Sequence, residues 1–340
     1  MLGTDAGDPL TCASGGANYV FTYGDLTPLY NRPSFYTPTN AALDILHASR
    51  SLLWLKPDHI IIYDRATSQI AGLFKRFNLC LPAAPSVVAR TGGGSLLTET
   101  LPGGQQLFIA SLLPANGTVG IYSLSNVIST VAEGEPCQYR LAIEDTNYPT
   151  DVRFLHVLQG ADAGKTADAV AYLQSTSGNA FEGVSVRGVA ALFPVYALSN
   201  DFTSVSYSAP SGVTNHYVAG LRPNTSYTAT VQINAGQAQA AVTPGPGLTA
   251  DNAGLLSFDN SGKALGGVAP KWLSAQWTSG GFQLTGSGGP LLPYQVLART
   301  NLATPNWSVI GTVTADTSGA LQFLHSSVTN SGQRYYRLAR

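Results

Sequence analysis

The sequence predicts an all-β protein: a large antiparallel β-sandwich over residues 1–245, a linker at 246–270 and a smaller C-terminal β module at 271–340. Three observations point there. The apolar runs are brief, and several alternate with period two, as half-buried strands do; 106–113, 152–158 and 184–189 are examples. Gly, Pro, Asn and Ser fall between them, the punctuation of hairpins stacked into sandwiches. Helical signals are weak, and the Ala-rich stretch 161–174 is the best candidate for a short helix or a loop.

Composition narrows the class. At 340 residues the chain has room for two domains, and 44% hydrophobic residues supply a core. Only 11% are charged, against roughly 25% in ordinary soluble domains, so Ser, Thr, Asn, Gln and Gly must cover the surface. That balance is common in secreted β-rich proteins and argues against disorder. The formal net charge is −1 with no basic block. Nucleic acid is disfavoured as a partner, since it requires clustered Lys and Arg to replace counterions. No apolar run approaches the ~20 residues of a membrane-spanning helix. Residues 1–9 lack the regions of a signal peptide. The chain reads as a segment of a longer secreted or cell-surface protein, with any export signal upstream. The three cysteines, Cys12, Cys80 and Cys137, allow one bridge with one thiol left over, or none. No C-x-x-C, H-E-x-x-H or other metal-ligand spacing occurs, so neither a metal nor a cofactor is expected.

From the N-terminus, Tyr19, Phe21, Tyr23, Tyr30, Phe35 and Tyr36 crowd together among Asn, Asp and Thr. Their rings either fill a core or stack on sugars. Residues 47–55 and 59–65 read as a hairpin turning at Lys56-Pro57-Asp58, with Trp54, Ile60 and Ile62 at least partly buried. Gly92-Gly93-Gly94-Ser95 reads as another hairpin tip. Gly160-Ala161-Asp162-Ala163-Gly164-Lys165-Thr166 imitates a phosphate-binding loop. Three residues separate its glycines where four are needed, and no βαβ pattern surrounds it. Leu221-Arg222-Pro223, leading to Tyr227, reads as a tyrosine corner entering a strand. Thr243-Pro244-Gly245-Pro246-Gly247 opens the main boundary. Beyond it, strands are expected near 272–277, 282–285, 294–300, 307–313, 321–325 and 335–338.

Two stretches carry a family resemblance. His47-Ala48-Ser49-Arg50-Ser51-Leu52-Leu53-Trp54-Leu55-Lys56-Pro57-Asp58-His59-Ile60-Ile61-Ile62-Tyr63-Asp64-Arg65-Ala66, followed by Gly72-Leu73-Phe74-Lys75-Arg76-Phe77-Asn78-Leu79-Cys80-Leu81-Pro82, resembles a segment of the heparinase II/III-like polysaccharide lyases. In that family the segment lies in the C-terminal β-sandwich. The resemblance implies a carbohydrate context and an upstream helical toroid of the same parent protein, which would hold most of the catalytic residues. It transfers no catalytic residue to this chain. Asn301-Leu302, Trp307 and Arg334-Tyr335-Tyr336-Arg337 resemble the pattern of a small β module at the C-termini of secreted bacterial proteins, which implies export or surface display.

His47, Tyr63, Asp64 and His156 are the candidates for acid–base work. Strand parity places His47 and Asp64 on one face of the hairpin, too far apart along it to share a metal ion. The plainer reading pairs Arg50 and Asp64-Arg65 as cross-strand charges and leaves His47 at a polar rim. Arg50, Arg76, Tyr30 and Tyr36 are the candidates for substrate binding, because a guanidinium can grip a carboxylate with two bonds. The expected function is the β-sandwich portion of an exported polysaccharide-processing protein, contacting polysaccharide or oligosaccharide or acting as scaffold. A stand-alone carbohydrate-active enzyme, lyase or glycoside hydrolase, and a purely structural surface protein are the alternatives.

Overall fold

The structure, a computed structural model, describes residues 10–16, 18–30, 44–124, 137–196, 201–265, 270–288, 293–301, 306–316, 319–326 and 334–339. Their regular secondary structure is strand apart from one helical turn. In chain order the first elements are β1 Leu10–Gly15, β2 Tyr19–Asp25, the one-turn helix α1 Thr27–Tyr30, β3 Ile45–Leu55, β4 His59–Ser68, β5 Arg76–Leu81 and β6 Ser86–Ala89. Next come β7 Ser95–Thr100, β8 Gln106–Leu113, β9 Thr118–Ser123, β10 Tyr139–Glu144, β11 Asp151–Ala161 and β12 Val170–Gly178. They are followed by β13 Phe181–Val186, β14 Val189–Pro194, β15 Val205–Pro210, β16 Asn215–Val218, β17 Ser226–Asn234, β18 Gln237–Pro244, β19 Leu248–Thr249 and β20 Leu256–Asp259. The last six are β21 Lys271–Thr278, β22 Gly281–Ser287, β23 Pro293–Arg299, β24 Ser308–Thr314, β25 Ala320–His325 and β26 Tyr335–Ala339.

The chain divides into two compact units: Met1–Cys12 with Thr22–Ala264, and Ala13–Phe21 with Leu265–Arg340. Three sheets belong to the larger part of the chain. Eight strands run in the order β1-β2-β3-β4-β11-β8-β7-β6, three in the order β5-β10-β9, and nine in the order β19-β17-β18-β15-β12-β13-β14-β16-β20. One face of the eight-stranded sheet, carrying Ile62, Phe154 and Ile109, packs on Phe77, Leu81, Leu141 and Ile143 of the three-stranded sheet. The opposite face carries Tyr63, whose ring stacks on Phe193 of β14 at 5.0 Å. The nine-stranded sheet curls around its own core, which includes Phe181, Leu192, Tyr207, Val242 and Phe258. Because β13 and β14 are covered on both faces, every residue in them is buried, Glu182 and Ser185 of β13 included, and β14 runs apolar instead of alternating. The second unit is a small sandwich of β21-β22-β25 and β24-β23-β26 around Tyr294, Val296, Val313 and Leu321.

The all-β prediction holds, and several local expectations need correction. Residues 161–174 form no helix. Ala161 closes β11, Asp162 and Lys165 make a turn, and Val170 opens β12, which is drawn into extended pairing by β13 and β15. The phosphate-loop mimic therefore runs into a strand. The run 184–189 is not one strand but the end of β13, a turn at Arg187-Gly188 and the start of β14. Both turn residues have positive φ, 49° and 73°, the twist a two-residue hairpin prefers. Residues 248–259, expected in a linker, supply β19 and β20, which pair with β17 and β16. The tyrosine corner is present: the Arg222 amide donates to Tyr227 Oη at 3.0 Å. Cys80 and Cys137 form a disulfide with Cα atoms 5.3 Å apart, leaving Cys12 as the free thiol.

Candidate functional site

The register of the β3–β4 hairpin decides where the candidate residues point. Leu55 faces His59 and Ser49 faces Arg65 across a three-residue turn, so odd-numbered residues oppose odd ones. His47 therefore faces Thr67, while Asp64 faces Arg50. This corrects the parity expectation: His47 and Asp64 lie on opposite faces of the sheet. His156 shares the Asp64 face, since it pairs with Ile62, and Tyr63 shares the His47 face. The four candidates for acid–base work are thus split two and two across one sheet.

On one face His156 is fully buried, its ring 4.1 Å from that of Phe77. Neither of its nitrogens has a hydrogen-bond partner. Burial, aided by the Arg50 charge, pushes its pKa down to about 3, so it is neutral and shielded from solvent. The Arg50 guanidinium grips Asp64 through Nε at 2.8 Å and Nη2 at 2.6 Å, which is the cross-strand pair of the plainer reading. Burial pushes the Asp64 carboxyl up against the pull of Arg50. Tyr30, exposed at the end of α1, is an electrostatic neighbour of Arg50. Tyr36 lies outside the described residues.

On the other face a polar network joins the eight- and nine-stranded sheets. His47 Nε2 shares a hydrogen bond with Ser49 Oγ at 2.8 Å, and Arg65 Nε donates to the same hydroxyl at 3.2 Å. Tyr63 donates to Glu182 Oε1 at 2.9 Å, and Tyr172 donates to Oε2 at 2.7 Å. Arg153 Nε ion-pairs with Glu182 at 2.7 Å. Burial first, and the Glu182 charge next, hold the Tyr63 phenol far above its ordinary pKa. Tyr63 is therefore a fixed donor and a poor base. Burial and the Arg65 charge lower the pKa of His47. Glu182 and Arg153 belong to pairings across 119 or fewer residues that no local pattern announces. The chemistry suits a staple between sheets, in which Arg153 matches Glu182 and Arg65 is held by the Ser49 hydroxyl and the Pro194 carbonyl.

Arg76 leads to a different surface. In the β5–β10–β9 sheet, Arg76, Glu144 and Thr118 form one row, Asn78, Ala142 and Gly120 the next, and Cys80, Arg140 and Tyr122 the third. The alternate residues Phe77, Leu141 and Ile143 point into the core, so these rows form the outer face. Phe74 is 69% exposed, with the Arg76 guanidinium 5.3 Å from its ring centre. Tyr122 is 43% exposed, with the Arg140 guanidinium 5.0 Å from its ring centre. The Tyr122 ring occupies space over Gly120: a Cβ there would come within 2.7 Å of it. Arg76 is braced on Glu144 at 2.8 Å. Arg140 has no ion pair among the described residues. The signal in the sequence was the alternation in Arg76-Phe77-Asn78-Leu79-Cys80-Leu81, with Arg140 and Tyr122 brought alongside only by sheet pairing.

An open pocket of about 670 Å³ sits at the tip of the β3–β4 hairpin, lined by Asp58, Gln159, Lys165, Asp168 and Arg187 among others. Buried His59 lies behind it, 2.9 Å from Asp58 and 3.3 Å from Asp168. Arg187 pairs with Asp58. Among the described residues no group of three or more His, Cys, Asp and Glu side chains is arranged to hold a metal ion. No helix of the described residues is long and apolar enough to cross a membrane.

No family profile matches the chain, and no curated protein sequence does. Solved structures show a partial likeness. Heparinase III matches with a TM-score of 0.38 and 10% identity over 54% of this chain and 26% of that one. Heparan sulfate lyase HepC from Pedobacter heparinus matches with a TM-score of 0.35 and 17% identity over 54% and 28%. The heparinase III BT4657 gene product gives 0.35 and 11% over 52% and 26%. The matched part is about half of this chain, and it spans about a quarter of each of those proteins.

Proposed function

We propose that this chain is the β-sandwich portion of an exported polysaccharide-processing protein, and that it holds an acidic polysaccharide on the outer face of the β5–β10–β9 sheet. The observation that carries the reading is the pair of guanidinium–aromatic contacts on that face, Arg76 on Phe74 and Arg140 on Tyr122. Aromatic faces stack on the C–H faces of pyranose rings, and the Arg140 guanidinium, held against Tyr122, presents its planar fork to a carboxylate or sulfate, while Arg76 is already gripped by Glu144 through two bonds. Asn78 between them supplies short-range hydrogen bonds to hydroxyls. The resemblance of 47–82 to heparinase II/III-like lyases supports the carbohydrate context. The Cys80–Cys137 bridge supports export, since disulfides persist in oxidising compartments. Turnover belongs to the upstream helical domain that the resemblance implies, because the Tyr63 phenol and the Glu182 carboxylate are already committed to each other.

The test is binding of the whole chain to alginate and heparin by calorimetry, with ultraviolet absorbance and reducing ends read in parallel. Binding without turnover is expected. Tyr122→Ala and Arg140→Gln should each weaken it roughly 5- to 20-fold, the order set by one stacking or one charged contact. Unchanged affinity in both variants would remove the proposed face. A second reading, glycoside hydrolysis, has the hairpin-tip pocket and its carboxylates in its favour. New reducing ends lost on Asp58→Asn would establish that reading instead.

A further inference from the structure

Four arginines of the larger unit are gripped by carboxylates: Arg50 by Asp64, Arg76 by Glu144, Arg153 by Glu182 and Arg187 by Asp58. Arg90, just beyond β6, has no ion pair among the described residues. Its Nη2 donates to the Val170 carbonyl at 2.7 Å. Of the two nitrogens left, Nε is buried without an acceptor. Nη1 has no partner among the described residues and stays accessible. Burial lowers the Arg90 pKa, and no neighbouring carboxylate offsets it.

The arginine lines a pocket of about 310 Å³ formed by the β6–β7 turn, the end of β8 and the start of β12. That size is near the lower end of the roughly 300–1,000 Å³ typical of small-ligand sites. Gly93 turns with φ of 99° and passes close to Ala115 on the rim; a Cβ on it would lie 3.2 Å from the Ala115 methyl. Leu112, Leu113, Val170 and Ala171 make the walls apolar. Tyr172 offers its ring, 37% exposed, while its hydroxyl is bound to Glu182 at 2.7 Å. The Thr91 hydroxyl is a second donor in the lining. Among the described residues of the lining none is acidic, and Arg90 is the one cation.

A charge in partly apolar surroundings without a counter-charge gains from an anion that supplies one. One guanidinium matches one negative charge. A divalent anion such as inorganic sulfate would set its second charge against apolar walls, whereas a carboxylate on a compact body matches both the charge and the walls. We infer that this pocket is a binding site for a monocarboxylate no larger than one sugar ring, with its carboxylate on Arg90 and its C–H surface against Tyr172 and the apolar walls. The site shares no residue with the β5–β10–β9 face and does not depend on the reading of that face.

The experiment titrates the whole chain by ligand-observed NMR with D-glucuronate, butyrate, D-glucose and inorganic sulfate. Saturable binding of at least one carboxylate is expected, with none of glucose or sulfate. Binding of glucuronate alone would make the ligand a sugar acid, and binding of butyrate alone an aliphatic acid. Arg90→Gln should weaken carboxylate binding roughly 10-fold or more, the order of a lost charge-assisted bond. Arg90→Lys should fall between. Ala171→Phe, at an exposed rim position, leaves Arg90 in place and fills the pocket, so it should abolish binding even where the arginine variants fold poorly. No saturable binding of either carboxylate refutes the site, as does binding that survives Ala171→Phe unchanged or is matched by glucose or sulfate. Tyr122→Ala should leave carboxylate binding untouched. A loss there, with Arg90→Gln and Ala171→Phe unaffected, would move the binding to the β5–β10–β9 face and sink this site while the proposed function stands.

Discussion

His156 pairs with Ile62 in the middle of a sheet, and neither of its nitrogens has a hydrogen-bond partner. A buried imidazole without partners costs stability, since its nitrogens lose water and gain no bond. Its folded pKa of about 3 lies below the ordinary value near 6.5. Between those limits the unfolded chain binds a proton that the folded chain refuses. The stability His156 permits is therefore complete above about pH 6.5 and is lost as the pH falls toward 3, by on the order of 3–5 kcal/mol over the whole window. His156→Leu should hold or raise the melting temperature at pH 7 and flatten its fall between pH 6.5 and 4.5. Urea melts across that range check it, and a fall as steep as in the unsubstituted chain would refute it. The residue type alone suggested acid–base chemistry, as it did for His47 and Asp64. Strand alternation says that neighbours point to opposite faces. It does not say which face another sheet will cover, and that is what separates a working histidine from a core one.

The β3–β4 hairpin was legible because its information is local: β-formers on both sides and Pro57 at the turn. The strands run longer than expected, Ile45–Leu55 against His59–Ser68. Trp54 is only half-buried. Its Nε1 donates to the Pro57 carbonyl at 3.1 Å, and Lys56 lies 5.6 Å from the ring centre. Trp54→Ala should accordingly cost about 1–2 kcal/mol, below the 3–5 of a fully buried aromatic, and thermal denaturation measures the difference. The β13–β14 hairpin was not legible. Its turn needs Arg187 at φ 49°, a conformation that no arginine advertises. Of the short helix or loop expected over 161–174, residues 162–169 are loop and the helix is absent. Alanine favours helix weakly, and pairing of β12 with both β13 and β15 outweighs that preference.

Over the whole molecule, strand positions in the second unit matched expectation because each is bounded by its own turn residues. The division between units was harder to place. Thr243-Pro244-Gly245-Pro246-Gly247 looks like the end of a domain, yet the sheet takes two more strands from the chain before Ala264. Of the β5–β10–β9 face only the β5 edge with Arg76 was legible, for a similar reason: Arg76 meets Glu144 across 68 residues, a distance over which sequence pattern carries no register. Cysteine pairing is also a whole-chain property. Thiol titration of the denatured, unreduced chain should find one thiol, that of Cys12, and three after reduction; three from the start would refute the bridge. The Cys80–Cys137 link, spanning 57 positions and the whole of β6 to β9, has an analytical corollary. A protease that cuts once within that span leaves both fragments on one covalent object. The nicked protein migrates at full size without reductant and separates into two bands only with it, so integrity of a preparation can be judged on a reducing gel alone.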